Sequence, residues 1–257
     1  MRIAIISDIH ANLPALQAVL EDIAGQHIDS IWCLGDLVNF AGWDNEVIDL
    51  IRLTDTLTVQ GNHDEGIGHN RADFSFSYTG DAQYRFGLES IRLTNRRITA
   101  PNRAYLAALP ATITLEYRFA FQQVRLVLTH GSPVSNNDYI QPETTDEILN
   151  GLLDVAGADI LLMGHTHRPF HRVLLTETEN RPRYRHAINA GSVGKPKHGD
   201  NQACYVMLEF DQHIRLEDPD ILGAHFHFVP YDTEAVIRRL HAEGLGDAYD
   251  RFLRTGQ

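Results

Sequence analysis

The chain has 257 residues, 22 Lys+Arg against 34 Asp+Glu, a formal net charge of −12 and 43% hydrophobic residues. The length suits one large α/β domain spanning 1–257, and the acidic balance argues against affinity for polymeric nucleic acid or an anionic membrane. No apolar run approaches the roughly 20 residues that span a bilayer, and Met1–Ser7 lacks the basic and apolar regions of a secretory signal, so the expected location is the cytoplasm.

Arg2–Ser7 is rich in Ile and reads as a strand covered on both faces. Asn12 then caps a helix over Leu13–Gln26, with Pro14 in its first turn. Ile31–Leu34 is a second strand, Asn45–Leu53 a helix and Leu57–Gln60 a third strand. This β-α-β-α-β alternation predicts a parallel sheet, whose ligands bind beyond the carboxyl ends of the strands. Gly66–Thr79 reads as a loop, followed by helices over Asp81–Leu93 and Pro101–Leu109. Strands Thr112–Leu115 and Val124–Thr129, a helix Thr145–Ala156 and a strand Ile160–Met163 come next. Five further strands are expected at Arg172–Thr176, Tyr184–Ala190, Ala203–Phe210, His213–Leu216 and His225–Val229, with closing helices near Thr233–Glu243 and Asp247–Arg254. Cys33 and Cys204 lie in apolar segments and read as small buried thiols.

Polar motifs punctuate these elements. Asp8-Ile9-His10, Gly35-Asp36, Gly61-Asn62-His63-Asp64, Thr129-His130-Gly131 and Gly164-His165-Thr166-His167 mostly follow apolar runs. Singly, the first two are ordinary turn sequences. Together, this ordered series of Asp, His and Asn at strand ends points to a two-metal hydrolase. Hydrolysis of a phosphoester needs a hydroxide at neutral pH and neutralisation of a phosphoryl group gaining charge. Two divalent ions about 3.5–4 Å apart meet both needs. With Asp8 and Asp36 as the only anionic ligands, the site stays net positive and attracts an anionic substrate.

With Ser7-Asp8-Ile9-His10-Ala11-Asn12-Leu13, His130-Gly131-Ser132-Pro133, Asn189-Ala190-Gly191-Ser192-Val193-Gly194 and Val229-Pro230-Tyr231-Asp232 added to these motifs, the chain resembles the calcineurin-like metallophosphoesterases of the small prokaryotic type along nearly its whole length. The resemblance implies a four-layer α/β/β/α sandwich of two mixed sheets. It implies that Asp8, His10 and His167 bind one metal, that Asn62, His130 and His165 bind the other, and that Asp36 bridges them. His63 would meet the scissile phosphate, and Asn12 is a further candidate substrate contact. Hydroxide held by the two ions would be the nucleophile. Ligands of this type suit Mn²⁺ first, with Fe, Zn²⁺, Co²⁺ or Ni²⁺ as alternatives.

One departure matters. The protein-phosphatase branch continues its Gly-Asp motif to a second Asp and then Arg-Gly, whereas this chain reads Gly35-Asp36-Leu37-Val38-Asn39-Phe40. Asn39 therefore stands where an Asp would orient His63. Its carbonyl is expected to accept a hydrogen bond from His63 and to stabilise the imidazolium less than a carboxylate. That favours a small phosphodiester, such as a cyclic nucleotide or dinucleotide, over an alkyl monoester. A phosphomonoesterase or protein phosphatase is the alternative on the same site, and a non-catalytic scaffold is the other class. Lys195, Lys197 and His198 read as a solvated basic turn, and His171 and His186 as sheet-surface residues. His225 and His227 share one face of a late strand. Arg71, His69, Phe74, Phe76 and Tyr78 read as local packing, with a nucleobase-stacking wall as the functional alternative.

Overall fold

Alternation along the first strand sets the layering. In β1 (Arg2–Ile6), Ala4 and Ile6 turn to a helix-covered core, while Ile3 and Ile5 turn to a second core between two sheets. The structure, a computed structural model, describes residues 1–74, 80–119, 122–178, 181–211, 215–246 and 249–256. After β1 come α1 (Leu13–Ala24), β2 (Ser30–Cys33), α2 (Asp44–Leu53) and β3 (Leu57–Thr58). The Asn12 side chain caps α1 by accepting the Ala15 N–H, and Pro14 lies in the first turn, where its missing donor costs nothing. Helices α3 (Asn62–Gly68), α4 (Asp81–Arg97) and α5 (Ala100–Ala108) precede β4 (Thr112–Arg118) and β5 (Gln123–Thr129). The remainder is α6 (Asp146–Ala156), β6 (Ile160–Met163), β7 (Phe170–Thr178), β8 (Arg181–Asn189), β9 (Ala203–Phe210), β10 (Leu222–Val229), α7 (Thr233–Ala242) and α8 (Asp250–Thr255).

One sheet has the order β10-β9-β1-β2-β3 and the other β4-β5-β6-β8-β7. β1, β2 and β3 are parallel, as are β5, β6 and β8, with antiparallel strands completing both sheets. Leu16, Val19, Val47, Ile48 and Ile51 of α1 and α2 cover the outer face of the first sheet. Trp32, Leu34, Leu126, Leu128, Leu162 and Ile188 fill the space between sheets. Leu149 and Leu153 of α6 cover Val127, Leu161 and Met163 on the far side. The result is the expected four-layer α/β/β/α sandwich of two mixed sheets. Among the described residues no helix is long and apolar enough to cross a membrane, and Cys33 and Cys204 are free, buried thiols.

The differences from expectation have local causes. Residues 66–68 belong to α3 rather than to a loop, and the Asp64 carboxylate secures the first turn of that helix by accepting the Gly61 N–H at 3.0 Å. Of the strand expected at His213–Leu216, residues 213–214 lie outside the described residues, while Leu216 lies in a turn whose carbonyl accepts the Tyr184 N–H. Phe76, Tyr78 and the start of the expected Asp247–Arg254 helix also lie outside the described residues. His186 is not a surface residue. It is fully buried, its Nδ1 lies 2.9 Å from His171 Nε2, and burial lowers its pKa to about 4.

The C-terminal helices pack Val236, Ile237, Leu240, Tyr249 and Leu253 against Phe40 and Phe86. Beside this cluster, fully buried Asp44 pairs with Arg97 at 2.9 Å, and Arg97 also pairs with Glu243 and donates to the Gly42 carbonyl. The Asp44 carboxylate in turn accepts the Asn39 N–H at 2.8 Å. Burial raises the Asp44 pKa, and the Arg97 charge opposes that rise. Replacing Arg97 with Met leaves a buried carboxylate without its cation and is expected to cost about 3 kcal/mol, read as a lower urea midpoint. Asp44→Asn on that background should recover part of the loss.

Candidate metal centre

Five of the expected ligands sit where a strand or a tight loop turns sharply. Asp8, His10, Asp36, His165 and His167 all have left-handed backbone, with φ between 50° and 65°. Asp and His tolerate this region better than bulkier residues do. The turns are held by the neighbouring strands: Asp8 N–H donates to Gly35 O at 3.0 Å, His10 N–H to Asp36 O at 2.9 Å and Gly164 N–H to His130 O at 2.8 Å. Asp64 clamps the next turn, accepting the Asp36 and Leu37 amides at 2.8 Å each. Burial and the nearby Asp36 charge raise the Asp64 pKa to about 7, against the pull of those amides. At Gly61 a Cβ would collide with Asp36, so only glycine lets the two loops touch.

These turns bring Asp8, His10, Asp36, Asn62, His130, His165 and His167 together at the tops of the two sheets. His10 Nε2 and His167 Nε2 are 3.2 Å apart, and His167 Nε2 is 3.2 Å from Asp8 Oδ1. His130 Nε2 lies 3.3 Å from Asp36 Oδ2, 3.0 Å from Asn62 Oδ1 and 3.2 Å from His165 Nδ1. Asp36 Oδ2 is also 3.7 Å from His10 Nε2, so this carboxylate lies between the two groups. Among the described residues, three sets have ligand atoms within 4.8 Å of one another: Asp8, His10 and His167; His10, Asp36 and His63; and Asp36, His130 and His165.

The donor set fits divalent cations. Ligand atoms bound at about 2.0–2.2 Å around one ion lie about 3–3.6 Å apart, which matches the close contacts above. Asp8 Oδ1 is buried without a hydrogen bond, as expected of an oxygen meant for an ion. Outer partners aim two of the rings: His130 Nδ1 donates to Leu34 O at 2.7 Å, and His167 Nδ1 donates to Lys195 O at 2.5 Å. Each ring is thereby turned with Nε2 inward, the kind of outer hydrogen bond that orients a metal-binding imidazole.

His63 reaches the same point, with Nε2 3.9 Å from Asp36 Oδ2 and its ring edge-on to His10. Asn39 contacts it differently from expectation. Ser90 Oγ accepts the Phe40 N–H, so its own proton goes to Asn39 Oδ1 at 2.5 Å. The Asn39 amide nitrogen is then what faces His63 Nδ1, at 2.9 Å. His63 Nδ1 therefore accepts, and the ring is neutral with its proton on Nε2. Burial lowers the His63 pKa to about 4, against the pull of Asp36. Asn12 commits its amide to the fold, donating to Gly194 O and accepting from Ala15 N–H, so it shapes the site from behind. The Gly191–Gly194 turn does likewise, its Val193 and Gly194 amides donating to Ser7 O and Asp8 O.

Lys195 is not part of a solvated turn. It is 7% exposed, and its ammonium lies over the rings of Phe40 and Tyr249 at 4.8 and 5.1 Å. Burial lowers its pKa to about 7, against the pull of Asp36 and Asp8. Phe40 itself holds φ 98°, costly for a bulky residue, and its packing against Phe86 and Tyr249 offsets that strain. Sequence reasoning also missed Tyr139, whose ring packs on His165 with centroids 4.2 Å apart. Arg71, expected in local packing, pairs with Glu65 at 2.7 Å, while Phe74 sets its ring edge-on to His63.

Residues 1–213 match the calcineurin-like phosphoesterase superfamily domain. The chain therefore belongs to the calcineurin-like metallophosphoesterases, a metal-dependent family of hydrolases. It is 33% identical over 261 residues to an uncharacterized protein of Methanocaldococcus jannaschii, covering 95% of this chain and 96% of that one. A crystal structure of a metallophosphoesterase from Sphaerobacter thermophilus superposes with a TM-score of 0.72 at 27% identity, covering 98% of both chains. A hypothetical protein from Pyrococcus horikoshii shares the fold with a TM-score of 0.74 at 23% identity, over 100% of this chain and 98% of that one.

The charges give the metal-free protein a defined pH response. Burial lowers the pKa of His10, His63, His165 and His167, so the folded protein keeps them neutral where the unfolded chain takes up protons. Stability therefore falls as pH drops below about 6.5. Burial works against a charged His130, but Asp36 and Asp8 overcome it and raise its pKa to about 10. That contribution is full below about 6.5 and is lost as pH rises through the folded value. Asp8 and Asp36, held low by the histidines despite burial, add stability that is lost only in stronger acid. Lys195, which burial lowers to about 7, binds fewer protons than in the unfolded chain over that same window and offsets the loss. Denaturant melts of chelator-treated protein should therefore rise from acid to about pH 6.5 and then level off, with Lys195→Met unmasking an alkaline fall.

Proposed function

We propose that the protein is a dinuclear metallophosphoesterase acting on a small phosphodiester. The convergence of Asp8, His10, Asp36, Asn62, His130, His165 and His167 on one buried point carries this reading. Asp8, His10 and His167 would hold one ion, Asn62, His130 and His165 the other, and Asp36 both. Two divalent ions, Mn²⁺ for preference, supply Lewis acidity and lower the pKa of water. To hold an ion, His130 Nε2 would have to give up the proton that it shares with Asp36 in the metal-free protein.

The chain's own residues then orient the ester. His63 presents Nε2–H beside Asp36, with its tautomer set by the amide of Asn39. A neutral imidazole donates a hydrogen bond to a phosphoryl or leaving oxygen but is a poor source of a full proton. An amide nitrogen facing Nδ1 opposes a second proton there. The site therefore suits esters whose leaving group departs without full protonation, including nucleotide diesters, better than alkyl monoesters. Asp8 and Asp36 cancel only part of the charge of two dications, which favours an anionic substrate.

Chelator-treated protein given back Mn²⁺ is expected to hydrolyse bis(p-nitrophenyl) phosphate faster than p-nitrophenyl phosphate. Asp36→Asn should lower that turnover on the order of 10³-fold. Absence of turnover with two ions bound per chain would overturn the reading. Asn39→Asp gives His63 Nδ1 an acceptor in place of a donor and should raise its pKa. The ratio of methyl phosphate to p-nitrophenyl phosphate turnover should then rise about tenfold, measured by phosphate release.

A further inference from the structure

Among the described residues, Tyr139 is a large aromatic side chain set against an expected metal ligand rather than inside a core. Its ring packs on His165 with centroids 4.2 Å apart and planes inclined at 43°, while the residue stays 41% exposed. His165 beneath it is 5% exposed, so the tyrosine has one face on a buried ligand-type imidazole and leaves much of its surface to solvent.

The loop that carries the ring is braced. Ser132 N–H donates to Ser135 O at 2.8 Å, and Ser132 Oγ donates to Asp138 Oδ2 at 2.5 Å. Asn136 Nδ2 donates to Glu65 Oε2 at 2.8 Å, tying the loop to α3. At Gly131 a Cβ would collide with the backbone of Ser135 and Asn136, so the loop folds tightly on itself directly after His130. Ile140, the next residue, joins Val127, Leu149, Leu161 and Met163 in the neighbouring core and anchors the loop, while Tyr139 itself stays outside that core. A rigidly mounted, half-exposed aromatic ring beside a phosphate-directed cationic centre is the arrangement that binds a base by stacking and its phosphate by charge.

We propose that Tyr139 is a specificity-determining residue, a stacking platform for the aromatic arm of the ester, and that the substrates are nucleoside phosphoesters. This rests on the phosphoesterase reading of the same site. Stacking uses the ring and not the hydroxyl, so phenylalanine should serve as well as tyrosine.

The test is calorimetric titration of the Mn²⁺-loaded protein with adenosine 5′-monophosphate and with ribose 5-phosphate, which differ by the base. The expected preference for the nucleotide is about 5- to 100-fold, the range that stacking one base on an aromatic ring supplies. Tyr139→Ala should reduce it to near unity while leaving ribose 5-phosphate affinity unchanged, and Tyr139→Phe should retain it. An unchanged preference in Tyr139→Ala, or equal weakening of both ligands, would mean that the ring only supports His165 and would overturn the proposal. Equal binding of the two ligands, or none, by a wild-type protein that hydrolyses the nitrophenyl diester overturns the stacking subsite alone. Loss of both hydrolysis and binding overturns the functional reading and the subsite with it.

Discussion

Two buried carboxylates and a crowd of inward-facing imidazole nitrogens must be kept a few ångströms apart in a place largely shielded from bulk solvent. This is the constraint around which the molecule is organised. Asp36 is its focal point, approached by His130, His10 and His63 and accepting the His63 N–H at 2.9 Å. Left to itself such a cluster would relax, since like groups repel and each buried charge carries a desolvation cost. The fold prevents relaxation by fixing the backbone on every side. Asp64 holds the amides of Asp36, Leu37 and Gly61, and Asp8 accepts from Ser7 Oγ and the His165 N–H.

Parallel strands explain why this bracing is available. They deliver their carboxyl ends to one edge of each sheet, and the two sheets face each other, so loops from both halves meet over the central core. The contacts that cross this line are polar: His130 to Leu34 O and His165 N–H to Asp8. The strained turns at Asp8, His10, Asp36, His165 and His167 are concentrated here and are rarer elsewhere in the chain. Outside the central layers, α7 and α8 reach the same region through Phe40, Tyr249 and Lys195.

The convergence of the candidate ligands was legible because their identities carry the chemistry. Asp8, His10, Asp36, His130, His165 and His167 each stand just past an apolar run or within a short Gly-bearing motif, and strand ends in α/β folds converge. The layers were legible for a similar reason, since Ile3/Ile5 and Ala4/Ile6 alternate between two apolar surfaces. What could not be read depended on partners distant in sequence. Lys195 looks like one of several cations in a turn until Phe40 and Tyr249 enclose it. His186 looks like a strand-surface residue until His171 and the sheet bury it. The atom that Asn39 offers His63 is decided by Ser90, on another helix. Tyr139 lay in a stretch without periodicity, and only the position of His165 gives it meaning.

The pairing of β1 with β9, Arg2 opposite Glu209, carries a consequence for how the chain is made. Residues 2 and 209 are neighbours in the sheet but are separated by 207 positions of synthesis. At about 5–20 residues per second, roughly 10–40 s separate their appearance at the ribosome. Throughout that interval an Ile-rich strand has its β2 side available for pairing and its other edge open to any extended segment, including that of a neighbouring nascent chain. The first strand thus waits for a partner made 207 residues later, a window in which mispairing of its open edge competes with folding.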